Sequence, residues 1–231
     1  LLLWQKDSAV DDGLANTFTT SQIPYQRLAA LCVLAGREKV STEQILKGLL
    51  DSHPAIRRHS VRIAEQFFIS EGIIKNGDDD RVLRSHESAG SKNLELIVKA
   101  MARLEEVEQE PQVILQLACS LGEMDHPIAR NTMGKIIAKH HGDTHVVAAA
   151  LSSIQSRIAE VLAGIIQTEG RFETKNLPLQ SLVRTSLGWG ELDSVVGILA
   201  LLMRDGAREY EVGQINGLAD IDQVLRKAGQ S

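Results

Sequence analysis

The chain is predicted to be all-α, an α-α superhelix (solenoid) of antiparallel helix pairs, and three observations carry that expectation. The first is composition. Of 231 residues 43% are apolar and only 3% aromatic, so the interior has to be filled by Leu, Ile, Val and Ala, which apart from the β-branched pair are good helix formers. The second is a recurring tetrad. Pro24-Tyr25-Gln26-Arg27, Pro54-Ala55-Ile56-Arg57 and Pro127-Ile128-Ala129-Arg130 share the pattern Pro-x-x-Arg, and each opens an apolar-periodic run. Proline suits a first helical position, where its missing N–H would have no partner and its fixed φ is already helical. The third is a common face. Counting six, seven and ten residues on from helix starts near Pro24, Pro54, Pro111 and Thr144 gives Ala30, Leu31, Leu34; Ser60, Val61, Ala64; Leu117, Ala118, Leu121; and Ala150, Leu151, Ile154. These positions share one side of a helix. No run alternates β-branched residues as a strand would.

The elements follow in order. Residues 8–19 pair with 24–36. A capping box, Ser41-Thr42-Glu43-Gln44, leads into Ile45, Leu46, Leu49 and Leu50, and the Asp51-Ser52-His53-Pro54 corner ends that helix. Segments 93–107 with 111–124, and 127–140 with 143–154, form two more pairs. Leu177 to Leu187, Leu192 to Met203 and Val212 to Lys227 also read as helices, separated by Gly188, Gly190 and Gly206. One stretch breaks the rhythm. Residues 76–92, from Asn76-Gly77-Asp78-Asp79-Asp80 to Ser91, are polar, small and charged, which predicts an irregular inter-repeat loop. The whole of 1–231 is expected to form one array. Leu1, Leu2, Leu3 and Trp4 resemble the interior of an apolar helix, so the array is expected to be a piece of a larger multidomain chain.

A helix of about ten residues, an Asp-containing corner, and a second helix with Arg near its start resemble a HEAT repeat, with residues 41–67 matching best. The fold expectation is therefore a HEAT/armadillo-like solenoid. Three stretches are similar to something narrower: Leu28 to Glu65, Leu115 to Glu123 (LQLACSLGE) and Gly142 to Ser153 (GDTHVVAAALSS). They resemble the HEAT segment of planctomycete-type membrane-bound dehydrogenase proteins that carry a CxxCH haem-binding domain. That resemblance implies a solenoid lying between a sugar-dehydrogenase-like β-propeller and a cytochrome c module, and an extracytoplasmic (periplasmic) location. The chain departs from the haem pattern, because Cys32 is followed by Val33-Leu34-Ala35-Gly36 and Cys119 by Ser120-Leu121-Gly122-Glu123. Redox chemistry implied by the resemblance then belongs to neighbouring modules.

No catalytic, cofactor-binding or metal-binding residue is expected in this segment. His141 and His145 have the i, i+4 spacing of two ligands on one helix face, but Gly142 and Asp143 between them look like a helix break and a new N-cap. Asn76, Asp78, Asp80 and Glu87 fit an EF-hand-like frame, yet Arg81 stands where its glycine should be. Ser152-Ser153 lacks a nucleophile elbow. The Glu105-Glu106 pair reads as an exposed, solvated face, and Cys32 and Cys119 as buried free thiols. The interaction or inter-repeat candidates are Arg27, Arg57, Arg58, Arg62 and Arg130. Arg57, Arg58 and Arg62, near Asp51 and Glu65, make a candidate docking patch; in the blander reading Arg57 ties its corner to an acidic residue of the next repeat.

These features predict a non-catalytic scaffold or protein-interaction segment, a spacer between flanking domains, whose partners are other domains of the same chain or another protein. A free-standing peptide-binding adaptor is the nearest alternative. A HEAT-like DNA glycosylase is an alternative from another class, disfavoured because net charge is -5 and only Trp4 and Trp189 offer indole rings. Nucleic acid and membrane insertion are not expected.

Overall fold

The computed structural model describes residues 8–70, 89–154, 158–169, 179–188, 190, 192–203 and 212–228, and among these none lies in a β-strand. The fold is all-α. The chain divides into two compact units, Leu1–Ser120 and Leu121–Ser231.

In the first unit α1 (Ser8–Thr20) is followed by α2 (Pro24–Gly36), α3 (Thr42–Leu49), α4 (Pro54–Ser70), α5 (Ala89–Val107) and α6 (Pro111–Gly122), whose last residues cross the unit boundary. The helix starts follow from the residues there. Pro24 takes the first turn of α2, and Ser41 closes a full capping box: its Oγ accepts from Gln44 N at 3.2 Å while Gln44 Oε1 accepts from Ser41 N at 2.8 Å. Helix α2 ends in a Schellman turn, with Lys39 N donating to Leu34 O and Glu38 N to Ala35 O. The left-handed position of that turn is held by Glu38, at φ 57°, where glycine would be unstrained.

Helix α1 packs on α2, α3 on α4, α2 on α4, and both α3 and α4 on α5. The common face predicted for α2 and α4 is the packed one: Ala30, Leu31, Leu34, Ser60, Val61 and Ala64 are all buried, as are Leu117 and Ala118 of α6. The α3–α4 crossing is tight because Gly48 has no side chain. A Cβ there would stand 2.1 Å from Ser60 Oγ and 3.5 Å from the Phe18 ring.

The second unit contains α7 (Pro127–Lys139), α8 (Thr144–Ser153), α9 (Ile158–Glu169), α10 (Leu179–Gly188), α11 (Leu192–Leu202) and α12 (Val212–Ala228). Helix α9 has no counterpart among the sequence-based elements, and with α7 it makes the most extensive pairing among the described helices. Helix α7 also packs on α8, as expected, but more lightly. Two glycines explain the difference. A Cβ on Gly134 would lie 2.0 Å from Val161 O, and one on Gly164 would lie 2.2 Å from Asn131 O, so the two backbones touch at reciprocal notches. Further along, α9 packs on α11, α10 on α11 and α12, and α11 on α12. Among the described residues the extensive pairings in each unit thus join helices one or two places apart in the chain. No described helix is long and apolar enough to cross a membrane.

Of the irregular segment expected at 76–92, residues 76–88 lie outside the described residues and 89–92 are already in the first turns of α5. Glu105 corrects a sequence expectation: it is 5% exposed rather than solvated. It falls four residues after Met101 on the packed stripe Leu94, Ile97, Val98, Met101, Leu104. Cys119 is exposed and Cys32 half-buried, not both buried, because the buried stripe of α6 runs through Leu117, Ala118 and Leu121 and leaves Cys119 on the other side.

Candidate interaction surface

The three Pro-x-x-Arg arginines do one job. Arg27 forks onto the Asp51 carboxylate, Nε to Oδ2 and Nη2 to Oδ1, both at 2.8 Å, while its Nη1 donates to Ser21 O at 3.0 Å. Arg57 repeats this one pair later: Nε and Nη2 donate to Glu108 Oε2 and Oε1 at 2.7 and 2.8 Å, and Nη1 to Asp51 O and Ser52 O at 2.9 and 3.0 Å. Arg130 bridges Asp125 and Glu160, each at 2.5 Å. Each arginine therefore ties the corner before its own helix to a carboxylate, and for Arg27 and Arg57 the bidentate geometry makes the pair directional as well as strong.

The accepting carboxylates recur too. Asp51 and Glu108 each stand three residues before a helix-opening proline, Pro54 and Pro111. Asp51 also accepts from His53 N at 2.8 Å, and Glu108 from Gln109 N and Glu110 N at 3.1 Å, so each carboxylate organises the next corner. Burial alone pushes both carboxyls up. The arginine and backbone hydrogen bonds, with the guanidinium charge, outweigh it and hold both below the usual carboxylate range. Before Pro54 and Pro127 the N-cap is histidine: Nδ1 of His53 accepts from Ala55 N at 3.2 Å, and Nδ1 of His126 from Ile128 N at 3.1 Å.

Arg58 and Arg62 are placed differently. Both are exposed on α4, one turn apart. Arg58 donates to Gln112 Oε1 of α6 at 3.1 Å. The nearby acid of the same helix, Glu65, is engaged by Ser120 Oγ at 2.5 Å. Toward α2, Cys32 Sγ lies 3.8 Å from His59 Nδ1. Burial pushes the Cys32 thiol up, against the opposing pull of Arg62, while burial and then the charges of Arg62 and Arg58 hold His59 below its ordinary value. The docking patch expected at Arg57, Arg58 and Arg62 is therefore divided: Arg57 is turned into its corner, and Arg58 and Arg62 face outward across α2, α4 and α6.

His141 and His145 are separated as expected, because Asp143 caps α8 by accepting from His145 N at 2.9 Å and Val146 N at 3.2 Å. Among the described residues no group of three or more His, Cys, Asp or Glu side chains is placed to hold a metal ion. The EF-hand-like frame at Asn76 to Glu87, Trp4 and Trp189 lie outside the described residues.

No protein-family model matches the chain, and no curated protein or solved structure matches it.

Proposed function

We propose that the chain is a HEAT-type α-α solenoid segment acting as a non-catalytic scaffold, a rigid spacer or assembly surface. The observation that carries this reading is the repeated corner. An arginine three residues after a helix-opening proline grips a carboxylate that, at Asp51 and Glu108, stands three residues before the next such proline. A device that hands the chain from one hairpin to the next is what a stacked array needs, since each repeat buries its apolar face only against its neighbours. Extensive packing between helices one and two places apart, among the described residues, supports the same reading. The resemblance to the HEAT segment of membrane-bound dehydrogenase proteins supplies a narrower proposal: the segment spaces a dehydrogenase-like propeller from a cytochrome c module outside the cytoplasm. The outward-facing Arg58 and Arg62 favour a second reading, a peptide-binding adaptor.

The test is removal of the first hairpin. A chain beginning at residue 40 lacks α1 and α2 and the Arg27–Asp51 pair. In an array it keeps the helical circular dichroism of the remaining hairpins and still unfolds cooperatively, with a lower melting temperature. Loss of the helical signal from α3 to α6 along with the deleted hairpin would mean a closed bundle and would remove the scaffold reading.

A further inference from the structure

We infer that the outward face of α2, α4 and α6 docks an acidic peptide segment, with Arg58 and Arg62 as its carboxylate anchors. The inference rests on the scaffold reading and names the chemistry of its partner.

The chain carries 30 acidic and 25 basic residues, and Arg27, Arg57 and Arg130 are each matched to a carboxylate. Arg58 and Arg62 are not. Arg58 has the neutral Gln112 amide, and among the described residues Arg62 has neither a hydrogen bond nor an ion pair. Two like charges at i, i+4 on a helix repel each other, and among the described residues no carboxylate pairs with either. Their field instead spreads over the face: Arg62 acts on both Cys32 of α2 and His59 of α4. Each guanidinium presents an open fork suited to a carboxylate.

Spacing selects the form of the partner. Positions i and i+4 on a helix are about 5–6 Å apart. Alternate residues of an extended chain project about 6.6 Å apart on one side, so two acidic residues separated by one match the pair. A nucleic-acid backbone fits less well, because tracking phosphates takes a series of cations rather than two.

The test is fluorescence anisotropy of a labelled synthetic peptide alternating Glu with Ser, titrated with the full 231-residue chain at low salt. Saturable binding is expected, weakened by added salt, and weakened at least about tenfold by the Arg58→Glu, Arg62→Glu double variant. Arg226→Glu, on α12, should leave it unchanged. Should charge reversal disturb the helical signal, the Arg58→Lys, Arg62→Lys pair keeps both charges but loses the forks, and should weaken binding several-fold. Equal binding of a peptide alternating Gln with Ser, no binding of the acidic peptide, or no effect of the fork-removing variants overturns the proposal. Tighter binding of duplex DNA through the same arginines also overturns it. The scaffold reading fails separately, in the hairpin deletion, whose outcome does not depend on either arginine.

Discussion

The α7–α9 crossing offers the sharpest expectation about stability, because it predicts the sign of a substitution as well as its size. A methyl group at Gly164 would stand 2.2 Å from Asn131 O, 3.0 Å from Asn131 C and 3.2 Å from Asn131 Cα. All three are backbone atoms, so no rotamer change relieves the overlap. Against a comfortable separation of about 3.5 Å, the helices must part by about 1 Å. Met133, Ile137, Val161 and Ile165, all fully buried, would then lose part of their dispersion contact, since a gap of 0.5–1 Å forfeits about a quarter to a half of each well. Overpacking of this kind costs about 3 kcal/mol at the upper end of its usual range, and alanine returns about 1 kcal/mol in helix propensity. Gly164→Ala should therefore destabilise by about 2 kcal/mol, lowering the melting temperature by about 4–8 °C for a chain of this size. The assay is thermal and urea unfolding followed by far-ultraviolet circular dichroism. Gly13→Ala on α1 is the internal control: nothing lies within 4 Å of its Cβ, so it should stabilise by about 0.5–1 kcal/mol. If Gly164→Ala raised stability as Gly13→Ala should, the close crossing and the reasoning from it would be refuted.

Three further outcomes are expected. Arg57→Met leaves the Glu108 carboxylate, 2% exposed, without its fork; because two backbone N–H groups still reach Glu108, the loss should be about 2–3 kcal/mol rather than the about 3–5 of a wholly orphaned charge, and an unchanged urea midpoint would deny the corner its structural role. The folded-state pKa values of Asp51 and Glu108 lie below their ordinary ones. Their contribution to stability is thus present above the unfolded values of about 4 and is lost as pH falls through the folded ones. Unfolding midpoints measured from pH 7 to pH 2 should decline in that acid window, and Arg57→Met should flatten the decline. Glu38→Gly, at φ 57°, should stabilise by about 0.5–1 kcal/mol, the relieved strain being partly offset by glycine's unfolded-state entropy; a lower melting temperature would show that Glu38 is not strained there.

Much of the first unit was legible because its signals are local. Pro24, Pro54 and the Ser41 capping box start helices through their own backbone and side-chain chemistry, and the observed starts agree with them. Of the twelve positions on the common face, Leu151 alone is half-buried rather than buried. What escaped depends on tertiary contact. Helix α9 opens without a proline or a described cap, and Gly164 within it reads as a weak helix former until α7 is seen lying against it. Glu108 is hard to single out from sequence although Glu108-x-x-Pro111 echoes Asp51-x-x-Pro54. The reason is physical: its arginine, Arg57, lies 51 residues back, and Pro111 is followed at the third position by Ile114 instead of another arginine. Cys119 and Glu105 show the limit of an apolar-periodicity argument, since one residue's shift around the helix exchanges burial for exposure.

Arg57 and Arg58 make that last point decisive for function. They are adjacent and chemically identical, yet a helix turns each residue about 100° from the last. Arg57 follows Pro54 by three positions and swings back over the Asp51 corner to Glu108. Arg58 is carried past that corner to the open side, into register with Arg62 one turn on. Only the first can serve the fold through Glu108; the second has the Gln112 amide and solvent. If a structural demand had placed Arg58, the polar but uncharged Gln that accepts from it would be a poor match for a guanidinium beside another cation. A single-residue comparison therefore separates the two roles: Arg57→Met should lower stability, while Arg58→Met should leave the unfolding midpoint within about 0.5 kcal/mol and weaken the acidic peptide. Reversal of that order would place Arg58 in the fold and break the two-arginine anchor of the outward face.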